Sequence, residues 1–196
     1  ALSKRSRIIV TSKERVGEGQ ITKIEDLANQ KWKGKICSRP GSHVYNRALM
    51  ASLILSLGEK AAEEWAKKFV DNLSRRPQGN DRAQVKAIFE GQCDISIINN
   101  YYFGKLKYSE DPSQREWAKS VRLIFPNQGE EERGAHINIS GGGVAKYSKN
   151  KNEAVALLEF LSKAQSQKMY GEINFEYPVN PSVETTEELK SWGSFK

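Results

Sequence analysis

The sequence predicts an α/β fold. Short β-rich runs alternate with amphipathic helical stretches, residues 81–98 read as a complete helix-then-strand unit, and no internal repeat or low-complexity tract breaks the pattern. Strands alternating with helices argue for a largely parallel sheet. Residues 7–10 form the first β-rich run. Thr22-x-x-Glu25 has the spacing of a capping box and opens a short helix through Leu27 and Ala28, and residues 35–37 then read as strand. After the turn Arg39-Pro40-Gly41, Ser42 is placed to cap a helix carrying Tyr45, Leu49, Leu53 and Leu57 toward the stop at Gly58. The next helix follows at once, because Ala61, Ala62, Trp65, Phe69 and Leu73 recur at three and four residues and make one apolar stripe.

Asp81-x-x-Gln84 resembles a capped start for a helix with Val85, Ile88 and Phe89 inward and Gly91 as its stop, before a strand over residues 93–98. Asn99-Asn100-Tyr101-Tyr102 comes directly after that strand, and open α/β sheets place ligands outside the carboxyl ends of their strands. Further on, Pro112–Lys119 reads as helix, residues 121–125 and 135–139 as strands, and Gly141-Gly142-Gly143 as a hinge or tight crossover. Residues 152–161 form a strongly apolar helix with Ala154, Leu157, Leu158, Phe160 and Leu161. A shorter Gln-rich helical segment, the extended run Tyr177-Pro178-Val179-Asn180-Pro181 and a last helix over residues 187–192 complete the chain.

The formal charge is +7, and residues 1–35 carry +5 of it, with nine basic against four acidic residues. Later basic residues sit among acids at helical spacing, as in Glu63-Glu64 with Lys67-Lys68, the pattern of a solvated helix face. No nucleic-acid-binding motif accompanies the charge, so a basic nucleic-acid-binding domain ranks low among the readings. With 28% charged residues and no apolar run near the roughly 18 residues that span a bilayer, a membrane-crossing helix is excluded. The chain opens Ala1-Leu2-Ser3-Lys4-Arg5 with no initiator Met, the expectation for a processed chain or a fragment. Cys37 and Cys93 are too far apart for a CxxC site and leave two readings open, two small buried hydrophobes or one disulfide in an exported protein.

Enzyme motifs are missing. Only His43 and His136 are present, there is no HExxH, EF-hand, P-loop or G-x-S-x-G pattern, and the glycine triplet lacks the lysine of a phosphate loop. Tyrosine remains. Tyr45, Tyr101 and Tyr102 each fall at a helix beginning, where the macrodipole favours an anion. An ordinary phenol stays protonated at neutral pH, but a bound, highly charged cation removes its proton. A hard 3+ ion such as iron(III) suits three phenolate oxygens, whereas zinc and copper prefer the imidazole and thiolate this chain scarcely supplies. The alternative is a Tyr pair divided between core and surface, since neighbouring positions do not share a helix face.

Several segments together resemble the periplasmic ferric-ion-binding proteins of bacterial iron ABC transporters, nearest their all-tyrosine branch. They include Ser3-Lys4-Arg5-Ser6-Arg7-Ile8-Ile9-Val10, Trp32-Lys33-Gly34-Lys35-Ile36-Cys37-Ser38-Arg39 with Tyr45-Asn46, and Pro77-Gln78-Gly79-Asn80-Asp81 with Gln84. Gly91-Gln92-Cys93-Asp94 leading to Asn99-Asn100-Tyr101-Tyr102, Ile137-Asn138-Ile139-Ser140-Gly141, and Tyr177-Pro178-Val179-Asn180-Pro181 continue the match over essentially the whole chain. The resemblance implies a type II periplasmic-binding-protein fold, a two-lobed Venus flytrap that binds iron(III) in its cleft and hands it to an ABC permease in the inner membrane, with no enzymatic step. It implies Tyr45, Tyr101 and Tyr102 as metal ligands. Arg5 matches a basic residue beyond the ligands that balances phenolate charge or holds a synergistic anion such as carbonate, and Arg39 and Asn46 are candidates to orient the Tyr45 loop. The rival within the same fold is a binder of another anion or metal complex.

Family members carry a long segment ahead of the point where this chain starts, including most of the first lobe and a further His or Tyr ligand. The resemblance therefore divides the chain into residues 1–137 as the second lobe, 138–174 as elements of the first, and 175–196 as a tail returning to the second. On this division the helix at 152–161 loses its cover. The isolated chain is then expected to self-associate, or to pair with a separate N-terminal fragment.

Overall fold

In the computed structural model, which describes all residues from 1 to 196, one strand organises the architecture. Strand β1 (Ser3–Ser12) is long enough for its two halves to join different sheets. Its second half lies between β3 (Ile95–Asn99) and β4 (Val121–Ile124), with Ile9 opposite both Ile97 and Ile124. Its first half pairs with β5 (Ile137–Ser140) and β6 (Tyr177–Pro178), with Lys4 opposite Ile139 and Tyr177. The remaining strand, β2 (Ile36–Cys37), flanks β3 and gives the order β2-β3-β1-β4.

The expectation of a largely parallel sheet is corrected here. Only β2 and β3 pair in parallel, while every pairing of β1 is antiparallel. The helix-strand alternation holds, because β2, β3 and β4 all run the same way. Strand β1 is inserted between β3 and β4 against their direction, and nothing in local sequence periodicity reports which strand a distant strand separates.

Helices cover both faces, so the sheet strands read as near-continuous apolar runs. The elements between β2 and β3 are α1 (Val44–Leu57), α2 (Glu59–Asp71) and α3 (Asp81–Phe89); α4 (Asn100–Lys107) and α5 (Pro112–Lys119) connect β3 to β4. On one face Ile8, Val10 and Ile98 pack with Val85, Ile88 and Leu106. On the other, Ile9, Ile95 and Ile97 pack with Leu49, Leu53, Ala62 and Trp65, and Trp65 Nε1 donates to the Ile24 carbonyl at 3.0 Å. The last part of the chain holds α6 (Lys151–Ser162), α7 (Ala164–Asn174) and α8 (Glu187–Ser191). Phe175, Tyr177 and Leu189 return to the Ile8 core.

Three expected caps move. Asp26, not Glu25, accepts the backbone N–H groups of Thr22 and Lys23, at 2.8 and 2.9 Å. Glu25 instead accepts from Arg133 and from Asn127 Nδ2. His43 rather than Ser42 caps α1, its Nδ1 accepting from Tyr45 N at 3.2 Å. Asn80 rather than Asp81 caps α3, and Asp81 is fully buried. In each case an adjacent polar residue has the better approach to the free N–H groups, a choice that residue spacing alone does not make. The exposed Glu63–Lys67 pair forms as expected at 2.8 Å.

Cys37 and Cys93 form a disulfide, which decides between the two cysteine readings. It joins the end of β2 to the approach to β3 across 56 residues of sequence. Cross-linking a loop of that length is worth about 4 kcal/mol in the chain-entropy model. We therefore expect Cys37→Ser/Cys93→Ser to unfold at clearly lower urea than the parent, as read by circular dichroism, and with a steeper slope, because the unlinked denatured chain exposes more surface. Equal midpoints would contradict this.

Helix α6 buries none of its residues. Val155, Leu157 and Phe160 are about half exposed, as are Ile137 and Ile139 on β5. No helix in the chain is long and apolar enough to cross a membrane.

Candidate metal centre

Two adjacent parallel strands deliver the candidate ligands. The chain leaves the carboxyl end of β2, turns, and starts α1 with Val44 and Tyr45; it leaves β3 at Asn99 and starts α4 with Asn100, Tyr101 and Tyr102. All three tyrosines thus stand in first helical turns at one end of the sheet, where unpaired N–H groups and the helix dipole favour negative charge.

The start of α4 is pinned from several sides. Asn100 is fully buried, accepting from Ser6 N and donating to the Phe175 carbonyl, both at 2.8 Å. Asn99 N donates to Asp81 Oδ2 at 2.8 Å, and Asn99 Nδ2 reaches within 3.5 Å of the Tyr101 hydroxyl. This corner lets neighbouring residues meet. The Tyr101 and Tyr102 rings lie 4.4 Å apart between centroids, although residues at i and i+1 diverge on a regular helix face. The hydroxyls of Tyr101 and Tyr45, 56 residues apart in sequence, are 3.0 Å apart.

Tyr101 is buried, and Tyr45 and Tyr102 are half-buried. Burial, reinforced by the neighbouring Tyr102 and Tyr45 hydroxyls, pushes the Tyr101 phenol well above its usual pKa. Without a cation, then, this oxygen keeps its proton. The surroundings are nonetheless prepared for anions. Arg39 lies 4.9 Å and Arg7 5.8 Å from the Tyr45 ring centroid, Arg82 5.3 Å from that of Tyr102, and Lys105 Nζ 5.5 Å from that of Tyr101. Cations over aromatic faces favour electron-rich rings, and a phenolate more than a phenol. Burial lowers the Arg7 pKa, with the Asp81 carboxylate acting in the opposite direction. Burial and the Arg39 charge likewise lower that of His43, whose ring meets Tyr45 edge-on at 4.6 Å.

No three His, Cys, Asp or Glu side chains gather where they could hold a metal ion. Oxygen donors in this cluster come from phenols. The structure brings Tyr45, Tyr101 and Tyr102 together. Arg5 lies opposite Asn138 in the β1/β5 pairing and donates from Nη1 to Ser140 Oγ at 2.8 Å, while other cations face the tyrosine rings.

Sequence reasoning missed the roles of Arg7, Asp81, Arg82 and Lys105 here. Arg7 reads as part of a β-rich run and Asp81 as a cap. The one signal pointing elsewhere is an arginine opening the apolar run Ile8-Ile9-Val10, where a buried cation requires a partner.

Residues 2–196 match the model of the bacterial extracellular solute-binding protein family. Iron uptake protein A1 of Synechocystis is 43% identical over 99% of this chain and 53% of its own length. The major ferric iron-binding protein of Neisseria meningitidis is 31% identical over 97% of the chain and 55% of its own. Among solved structures, a Trichodesmium protein described as in complex with iron and citrate ligands superposes with a TM-score of 0.93 at 47% identity. That alignment covers 99% of this chain and 61% of the other. A ferric binding protein from Campylobacter jejuni also gives 0.93, at 38% identity, over 100% and 62%. The chain spans about half the length of the curated relatives it matches.

Proposed function

The chain belongs to the bacterial extracellular solute-binding protein family, of type II periplasmic-binding-protein fold, and from that premise we propose that it binds iron(III) through the phenolates of Tyr45, Tyr101 and Tyr102. The 3.0 Å approach of two phenol oxygens from different helices, with the Tyr102 ring packed alongside, carries this reading. Three phenolates neutralise a 3+ ion, and the cations around the rings offset the charge each phenolate brings. Relatives named for iron uptake and ferric-iron binding favour the same ion. The role is carriage rather than catalysis, with iron passed in the periplasm to an ABC permease.

A synergistic anion completes coordination positions that three phenolates leave open. Carbonate and citrate both fit as oxygen donors, and Arg5 has guanidinium donors beyond the one given to Ser140. Residues 1–137 and 175–196 make the tyrosine-bearing lobe, and 138–174 belong to the opposing lobe. The absence of any fully buried residue in α6 supports that division.

Equilibrium dialysis against iron(III) citrate tests the reading. The parent chain is expected to retain about one iron per molecule, following the ligand-set argument, and Tyr45→Phe/Tyr101→Phe to retain little; equal retention by both would refute phenolate binding. The exposed apolar residues of α6 and β5 lead to a separate expectation, that the isolated chain self-associates at micromolar concentration. A strictly monomeric sedimentation profile would count against that.

A further inference from the structure

Behind the tyrosines lies a charge cluster that their chemistry does not itself require. Asp81 is fully buried, and its carboxylate accepts from Arg39 Nη1 at 2.6 Å, Arg7 Nη1 at 3.1 Å and Asn99 N at 2.8 Å. Arg7 is 2% and Arg39 7% exposed, so two guanidinium groups share one carboxylate out of contact with water. Their Nε atoms have no hydrogen-bond partner. A buried ion group with a surplus charge and unpaired donors is an expensive way to stabilise a fold. Its position explains it better.

The cluster ties together the elements that present Tyr45 and Tyr101. Arg7 Nη2 donates to Asn46 Oδ1 at 2.8 Å and Arg7 Nη1 to Asn99 Oδ1 at 3.2 Å, gripping the residue after Tyr45 and the residue two before Tyr101. Asn46 Nδ2 in turn donates to Ser38 Oγ and to the carbonyls of Arg39 and Pro40, fixing the turn ahead of α1. Both guanidinium groups also lie over the Tyr45 ring. We propose that Arg39, held by Asp81 against Arg7, is a positioning residue that sets Tyr45 against Tyr101 and supplies the surplus positive charge their phenolates meet. Arg39 acts through Tyr45 and does not touch the metal. The inference rests on phenolate ligation as proposed above.

Arg39→Gln and Arg39→Lys test it. Removing the Arg39 charge leaves Arg7 and Asp81 as a compensated pair, with the Asn99 N–H still donating to the carboxylate, so the buried anion keeps partners; thermal unfolding of each variant verifies that it folds. Loss of a nearby cation raises the energy of the phenolate donor orbital. Arg39→Gln loaded with iron(III) citrate is expected to show its visible charge-transfer band at longer wavelength than the parent, and to surrender iron to excess EDTA about tenfold faster, within the range typical of outer-shell changes. Arg39→Lys keeps the charge and is expected to restore the band position, with release intermediate. Band and release unchanged in Arg39→Gln, or a shift in Arg39→Lys as large as that in Arg39→Gln, would overturn the proposal. Absence of any band in the parent would overturn phenolate ligation itself, a result separable from the first because it appears before any Arg39 variant is compared.

Discussion

Tyr101→Phe is expected to lose most of the iron affinity and to change or abolish the visible band, while folding as the parent does. Tyr101 contributes its ring to the core beside Ile98 and Leu106, and phenylalanine preserves that packing. Only the hydroxyl is lost, with its 3.0 Å approach to Tyr45. Removing an outer-shell partner typically costs 10–100-fold in metal affinity, so deleting a direct anionic ligand should exceed about 100-fold. Competition with citrate, followed by iron released, measures it. An affinity within a few-fold of the parent would mean that the hydroxyl is not a ligand.

Asp81→Ala is expected to cost stability on a scale comparable to loss of the disulfide. The substitution leaves Arg7 and Arg39 buried, facing each other without their carboxylate, and removes the acceptor for Asn99 N. Breaking a buried ion pair from one side costs about 3–5 kcal/mol. For a chain of this size that lowers the melting temperature on the order of 10 °C. Scanning calorimetry gives the value directly, and a fall of only a degree or two would show that water enters and solvates the arginines. Arg39→Gln is expected to cost much less, since it leaves one cation against one anion.

How much of this could be read from the chain follows from the range of each signal. Helix α5 is found at Pro112–Lys119, the bounds its sequence predicts, because Pro at the first turn and Asp111 before it are local signals. The candidate ligands were legible too, as residue types placed after strand ends. Strand direction was not, because β1 enters between β3 and β4 from far away in sequence. Nor was the Asp81 cluster, where Arg7, Arg39 and Asp81 lie on three separate elements and only folding reveals that one carboxylate serves two arginines. Asp81 also misleads locally, standing beside Asn80, the residue that makes the cap. The disulfide lay between these cases, visible as a possibility and decided by the closeness of β2 to the approach to β3.

Phenolate ligation is tested most directly by a visible absorption titration of the chain with iron(III) citrate, run in parallel on Tyr45→Phe, Tyr101→Phe and Tyr102→Phe. A charge-transfer band should grow to saturation in the parent and weaken or shift in each variant. A parent chain that takes up iron without any such band, or a band untouched by all three substitutions, would contradict the assignment of these tyrosines as ligands.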